Sequence, residues 1–148
     1  MKNFFQKLAL IALIIASFVV SACSSNKGID NYNVDQALNG MPPDIKQQIG
    51  DFKFYFGKSA GWGAKELGTV KTSLRTNAFA KNPQISCNRV FYSALLSLKK
   101  QAQQLGGNAV ENIQSNWKDN KVSSKSIFVC DNGLWMSGVA LTGTAVKE

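Results

Sequence analysis

Residues 82–107 read NPQISCNRVFYSALLSLKKQAQQLGG, and this stretch decides the fold class. Asn82 suits a helix N-cap, Pro83 suits the first helical position, and Gly106-Gly107 suits the exit. Between them Cys87, Phe91, Ala94, Leu95, Leu98, Ala102 and Leu105 recur at helical spacing and form one apolar stripe. The spacing predicts one long amphipathic helix with Cys87 turned toward a core.

The segments on either side read as strands. Upstream, Phe52-Lys53-Phe54-Tyr55-Phe56 alternates with period two, and Leu67 to Leu74 is a second strand candidate. Downstream, Ala109 to Trp117, Ser126 to Cys130 and Leu134 to Val146 are three more, separated by polar Lys118 to Lys125 and by a turn at Asp131-Asn132-Gly133. The expected class is α+β, in the order β-β-α-β-β-β: one mostly antiparallel sheet packed on one long helix. Before it, Val34 to Leu38 is expected to form a helical turn capped by Asn33, and Asp44 to Ile49 another after Gly40-Met41-Pro42-Pro43.

The N-terminus has a different character. Lys2 and Lys7 precede an apolar run from Leu8 to Val20, and Ser21-Ala22-Cys23 follows. A membrane-spanning helix needs about 20 apolar residues, so a shorter run ending in small residues is a targeting segment. Val20-Ser21-Ala22-Cys23 is similar to the bacterial lipobox, which implies cleavage before Cys23 and acylation of that cysteine by palmitate-type chains. Two or more chains make such an anchor long-lived; the alternative is a secreted soluble protein with an incidental cysteine. In sorting rules for such lipoproteins Ser24 and Ser25, in place of aspartate, point to the outer membrane, with the protein facing the periplasm. The expected organisation is a signal peptide over 1–22, a lipidated, structure-poor tether over 23–33 reaching up to roughly 35 Å, and a single domain over 34–148.

Once Cys23 carries lipid, Cys87 and Cys130 remain as an even pair. In an oxidising compartment they are expected to form a disulfide joining helix to sheet, worth roughly 4 kcal/mol in the chain-entropy model; two separate buried thiols are the alternative. The chain has 148 residues, with 17 Lys+Arg against 9 Asp+Glu and a net charge of +8. This balance suits anionic envelope polymers or head groups as partners, although scattered lysines also serve plain solvation. No nucleic-acid recognition motif is present.

Chemistry is sparsely supplied. Histidine is absent, which excludes Ser-His-Asp and Cys-His catalysis and the usual zinc sites. The acids are dispersed, no calcium loop occurs, and Gly57-Lys58-Ser59 lacks the glycine that a phosphate-binding loop needs at position 52. No catalytic residue, metal or cofactor is expected. The glycine-rich loop 57–63 is the exception: Lys58 and Trp62 are candidate contacts to a sugar or lipid surface, with packing of Trp62 over a sheet edge as the alternative.

Two segments carry family resemblances: Ala102-Gln103-Gln104-Leu105-Gly106-Gly107-Asn108-Ala109-Val110 and Gly138-Val139-Ala140-Leu141-Thr142-Gly143-Thr144-Ala145-Val146. They resemble the YbjQ-like domain and, in anchor, helix, strands and disulfide bonding, the lipoprotein that senses envelope stress for the Rcs phosphorelay. Over nearly the whole mature chain, Lys53 to Gly57, Lys71 to Ser73, Thr76 to Phe79, Cys87, Phe91, Ser93 to Leu96, Gly107 to Val110, Cys130 and Gly138 to Leu141 resemble small exported gammaproteobacterial proteins often labelled excinuclease ATPase subunit. The nucleotide-binding motifs that such a label requires are not in this sequence. The resulting expectation is a non-catalytic lipoprotein, not an enzyme, that binds or senses an envelope component. A YbjQ-like small-ligand-binding or self-assembling module is the runner-up.

Overall fold

The computed structural model describes residues 28–148. The expected signal peptide, the expected lipidation at Cys23 and the first part of the expected tether lie outside the described residues.

The long helix, α3 (Pro83–Gln104), forms where its pattern predicts it. Asn82 caps it, its side chain accepting the Gln84 N–H at 2.8 Å. Cys87, Phe91, Ala94, Leu95, Leu98 and Ala102 are all buried. Leu105 departs from the expected stripe and is exposed. Leu105 is the C-cap, its N–H still reaching the Gln101 carbonyl at 3.3 Å; beyond it Gly106 turns left-handed at φ 85° and Gly107 N–H closes back on the Ala102 carbonyl at 2.8 Å, so the stripe ends at the last, partly open turn.

The helices α1 (Val34–Asn39) and α2 (Pro43–Ile49) precede the main sheet segments. Asn33 caps α1 by accepting the Gln36 N–H at 2.8 Å. The strands are β1 (Gly28–Asn33), β2 (Lys53–Phe56), β3 (Lys65–Asn77), β4 (Ala109–Trp117), β5 (Asn120–Ser123), β6 (Ile127–Asn132) and β7 (Met136–Lys147).

Strand β7 is the axis of the sheet. One edge pairs with β3 along its whole length, from Lys65 opposite Lys147 to Asn77 opposite Met136. The other edge is shared, with β6 at its start and β4 farther along. Outside these, β1 adds antiparallel to β6, β5 antiparallel to β4, and β2 parallel to β4. The class is therefore α+β with a mostly antiparallel, curled sheet, and α3 packs across its inner face.

The expected order is corrected at three places. Residues 28–33, read as tether, are strand β1, with Tyr32 buried and stacked on Phe128 at 5.6 Å; a polar run can serve as an edge strand when a single aromatic supplies its buried anchor. The polar stretch 118–125 contains β5, reached by a two-residue turn in which Lys118 and Asp119 both have positive φ, 51° and 62°. That hairpin geometry is usually announced by Asn-Gly or Asp-Gly. Finally, Asp131 and Asn132 extend β6, and the reversal comes over 133–135, closed by Gly133 N–H to the Met136 carbonyl at 2.9 Å. No helix among the described residues is long and apolar enough to cross a membrane.

Two apolar clusters flank the sheet. The main core lies under α3, where Phe91 faces Phe128 at 4.0 Å in a stacked pair. On the outer face Trp117, Val129 and Ala140 form a smaller one, with the Arg75 guanidinium over the indole at 5.4 Å. Trp117 lies so close over Gly138 that a Cβ there would sit 2.1 Å from its ring. Gly138→Ala is expected to cost about 1–3 kcal/mol by forcing this ring away, read as a lower urea midpoint with an unchanged slope.

Candidate functional site

The loop between β2 and β3 begins with an enforced close approach. Gly57 has φ 55°, and a Cβ there would lie 2.8 Å from the backbone of Ser124. Its N–H donates to the Ile113 carbonyl at 2.9 Å, and Lys58 returns its carbonyl to Asn112 N–H at 2.9 Å. Asn112 is itself left-handed at φ 50°, within the irregularity of β4 between Glu111 and Gln114; asparagine tolerates this conformation better than most residues. The bulge and the loop are thus bonded to each other.

Glu111 is the brace beneath the loop. It is 4% exposed, and its Oε2 accepts the Ser59 hydroxyl at 2.7 Å and the Ala60 N–H. Ser59 Oγ in turn accepts the Gly61 N–H at 3.2 Å. Beyond these bonds, Gly61 and Gly63 adopt φ 120° and 91°. Between them Trp62 is fully exposed, so its ring does not pack over the sheet edge.

Lys58 rests at the base of the same loop, its ammonium 5.7 Å from the centre of the Tyr55 ring. Tyr55 donates to Glu148 Oε1 at 2.7 Å, and Lys53 donates to Glu148 Oε2 at 2.8 Å. The Lys53 hydrogen bond, then that of Tyr55, holds the Glu148 carboxyl below the usual glutamate value, and the same contacts raise Lys53 and Tyr55. Because the Glu148 value is depressed on folding, the stabilisation from this tie is present above the ordinary glutamate pKa. It fades as the pH falls through the lowered one.

The structure thus carries Lys58 and Trp62 on one braced loop, with Lys58 drawn to Tyr55. An indole held out by a hydrogen-bonded loop is an aromatic platform, suited to stacking on a sugar face or resting on an apolar surface. Glu111 was not singled out from the sequence. Its signal was a break in period two, where an acid and an asparagine interrupt the alternation that resumes at Ile113. Glu111→Ala is expected to lower stability by about 1–2 kcal/mol by leaving two donors without their acceptor and to loosen the loop, read as reduced Trp62 fluorescence anisotropy.

The other paired site residues also meet. Cys87 and Cys130 form a disulfide, S–S 2.03 Å and Cα–Cα 6.0 Å, with neither residue exposed. It joins the first turns of α3 to the middle of β6. Elsewhere, a surface depression of about 540 Å³ between α2 and α3 is lined by Ile45, Ile85, Arg89 and Tyr92. Another, of about 430 Å³, is lined by Lys71, Asn116 and Lys118. Among the described residues no group of three or more Cys, Asp or Glu is placed to hold a metal ion. No protein-family model matches the chain, and no curated protein sequence matches it either.

Proposed function

We propose that this chain is an exported lipoprotein, anchored through acylated Cys23 in the outer membrane and facing the periplasm. Its domain works by binding an envelope component, without catalysis. The observation that carries the reading is the wholly buried Cys87–Cys130 disulfide: such a staple forms and persists in an oxidising compartment, which is where a signal peptide over 1–22, cleaved before Cys23, would deliver the domain. The braced loop supplies the contact, with Trp62 as the exposed platform and Lys58 as a cation at the base of the same loop. That pairing of an aromatic face and a positive charge suits an anionic envelope polymer or the surface of an envelope protein.

Metabolic labelling with an alkyne fatty acid is expected to mark the wild-type protein and not Cys23→Ser; absence of label from the wild type rejects the anchor. A photoreactive phenylalanine analogue in place of Trp62, activated in intact cells, is expected to capture a defined envelope protein or a peptidoglycan fragment. Capture of other copies of the chain alone favours a self-assembling module, and no capture rejects Trp62 as the contact.

A further inference from the structure

Strand β1 enters the fold at Gly28, opposite Asn132. The turn that follows Asn132 carries Leu134, Trp135 and Met136, all three exposed, Trp135 by 61%. Phe79, just beyond the end of β3, is also exposed, and its ring stacks on Trp135 at 4.7 Å with the planes 8° apart. The backbones beneath are tied, Ala78 N–H donating to the Trp135 carbonyl at 2.8 Å. Below the turn, Ser86 and Ser137 share a buried hydrogen bond of 2.8 Å. Four large apolar side chains therefore project from a well-supported end of the molecule. An exposed apolar cluster of this kind, centred on the Phe79–Trp135 stack, marks a surface suited to being covered.

The chain itself indicates the occupant. Ser24, Ser25, Asn26 and Lys27 separate Cys23 from Gly28, so even a fully extended link holds Gly28 within about 18 Å of Cys23. A lipid on Cys23 therefore keeps this end of the domain near the bilayer surface. Tryptophan favours the membrane interface, where its ring meets the acyl boundary and its N–H meets the head groups, and Leu, Met and Phe add apolar area beside it. Lys81, two residues along the chain from Phe79, has its ammonium donating to the Asn77 carbonyl at 2.9 Å, a cation at the same end of β3. The nearby acids are Asp131, which accepts from Trp117 Nε1 at 3.0 Å on the outer face of β6, and exposed Asp30 on β1, opposite Cys130.

We propose that Phe79, Leu134, Trp135 and Met136 form a membrane-docking tip that dips into the interfacial layer of the bilayer holding the anchor. This rests on the reading of Cys23 as the lipid site. It also fixes an orientation: the thirteen-residue β3 runs from Lys65, beside the 57–63 loop, to Asn77, beside the tip. A tip seated in lipid turns Trp62 away from the membrane.

The test uses the full mature chain purified from membranes, reconstituted in phosphatidylethanolamine–phosphatidylglycerol vesicles, in a Trp62→Phe background. Lipids brominated near the top of the acyl chain are expected to quench emission at least twofold and to protect it from aqueous iodide. Trp135→Phe should abolish that lipid quenching, leaving only buried Trp117. The double variant Leu134→Gln/Met136→Gln, at exposed positions that leave the disulfide untouched, should restore iodide access several-fold. Mass spectrometry of the same sample reads acylation of Cys23 separately. Acylated protein whose Trp135 is open to iodide and untouched by lipid bromine overturns the tip and leaves the anchor standing. Protection from iodide without lipid quenching overturns it too, because a protein surface or a second copy then covers the patch. Absence of acyl groups rejects the anchor, and the tip then stands or falls on lipid quenching of the same protein in the same vesicles.

Discussion

Reduction of the Cys87–Cys130 disulfide is expected to lower the melting temperature by about 15 °C. The bond closes a loop with a sequence separation of 43, and restricting the unfolded chain over that length is worth about 4 kcal/mol. A domain of this size has a total stability of about 5–15 kcal/mol, and each kcal/mol moves the midpoint by about 3–5 °C. The bond is also an internal contact between layers: Cys87 is on the buried face of α3 and Cys130 faces it from β6, both without exposure. Loss of the bond therefore frees the start of the helix from the sheet as well as lengthening the unfolded chain's reach. The measurement is calorimetry of Cys23→Ser protein with and without reductant, paired with a thiol count on the denatured, unreduced sample. No thiol should react; two reactive thiols, or a melting temperature indifferent to reductant, would contradict it.

Phe91→Ala is expected to cost a comparable amount, about 3–5 kcal/mol, through the native packing. Phe91 is fully buried, and its ring is the hub between elements that are distant in sequence. It stacks on Phe128 of β6 at 4.0 Å and contacts Phe56 of β2 at 5.8 Å and Tyr92 at 6.3 Å. Phe128 continues the series to Tyr32 of β1. Truncation leaves a cavity that four anchored elements cannot easily collapse, whereas Phe91→Leu retains much of the volume and should cost markedly less. Urea denaturation with the disulfide intact distinguishes the two; equal losses would mean that the aromatic stack has no special part in the core. Phe91 lies one helical turn from Cys87, so its effect and that of reduction should not add.

The helix, its cap and its buried face were legible because α3 satisfies its own hydrogen bonds and its stripe repeats over many turns. The strands β2 and β4 were legible from alternation at period two, and β7 as a continuous apolar and small-residue run, because it is buried along nearly its whole length. By contrast, β1 and β5 carry little periodic apolar signal. Tyr32 is the one buried residue of β1, and β5 has no buried residue; both are strands because β6 and β4 offer them an edge. A strand's backbone partners are on another segment, so its existence depends on a neighbour that local composition does not describe. The same limit applies to the site. Glycine spacing marked 57–63 as an unusual loop, and it identified Lys58 and Trp62, but the support from Glu111 spans about fifty positions of sequence.

The sequence by itself determined the long helix and the α+β class and offered Cys87 and Cys130 as a candidate disulfide, since these follow from local spacing, capping and composition. Only the tertiary structure decided that β7 is the axis shared by β3, β4 and β6, that Glu111 holds the loop presenting Trp62, and that Phe79 stacks on Trp135 beside the point where the chain enters the fold. Each of these is a meeting of segments far apart in the chain, fixed by the register of a curled sheet, and no spacing within one segment encodes which distant backbone it will face.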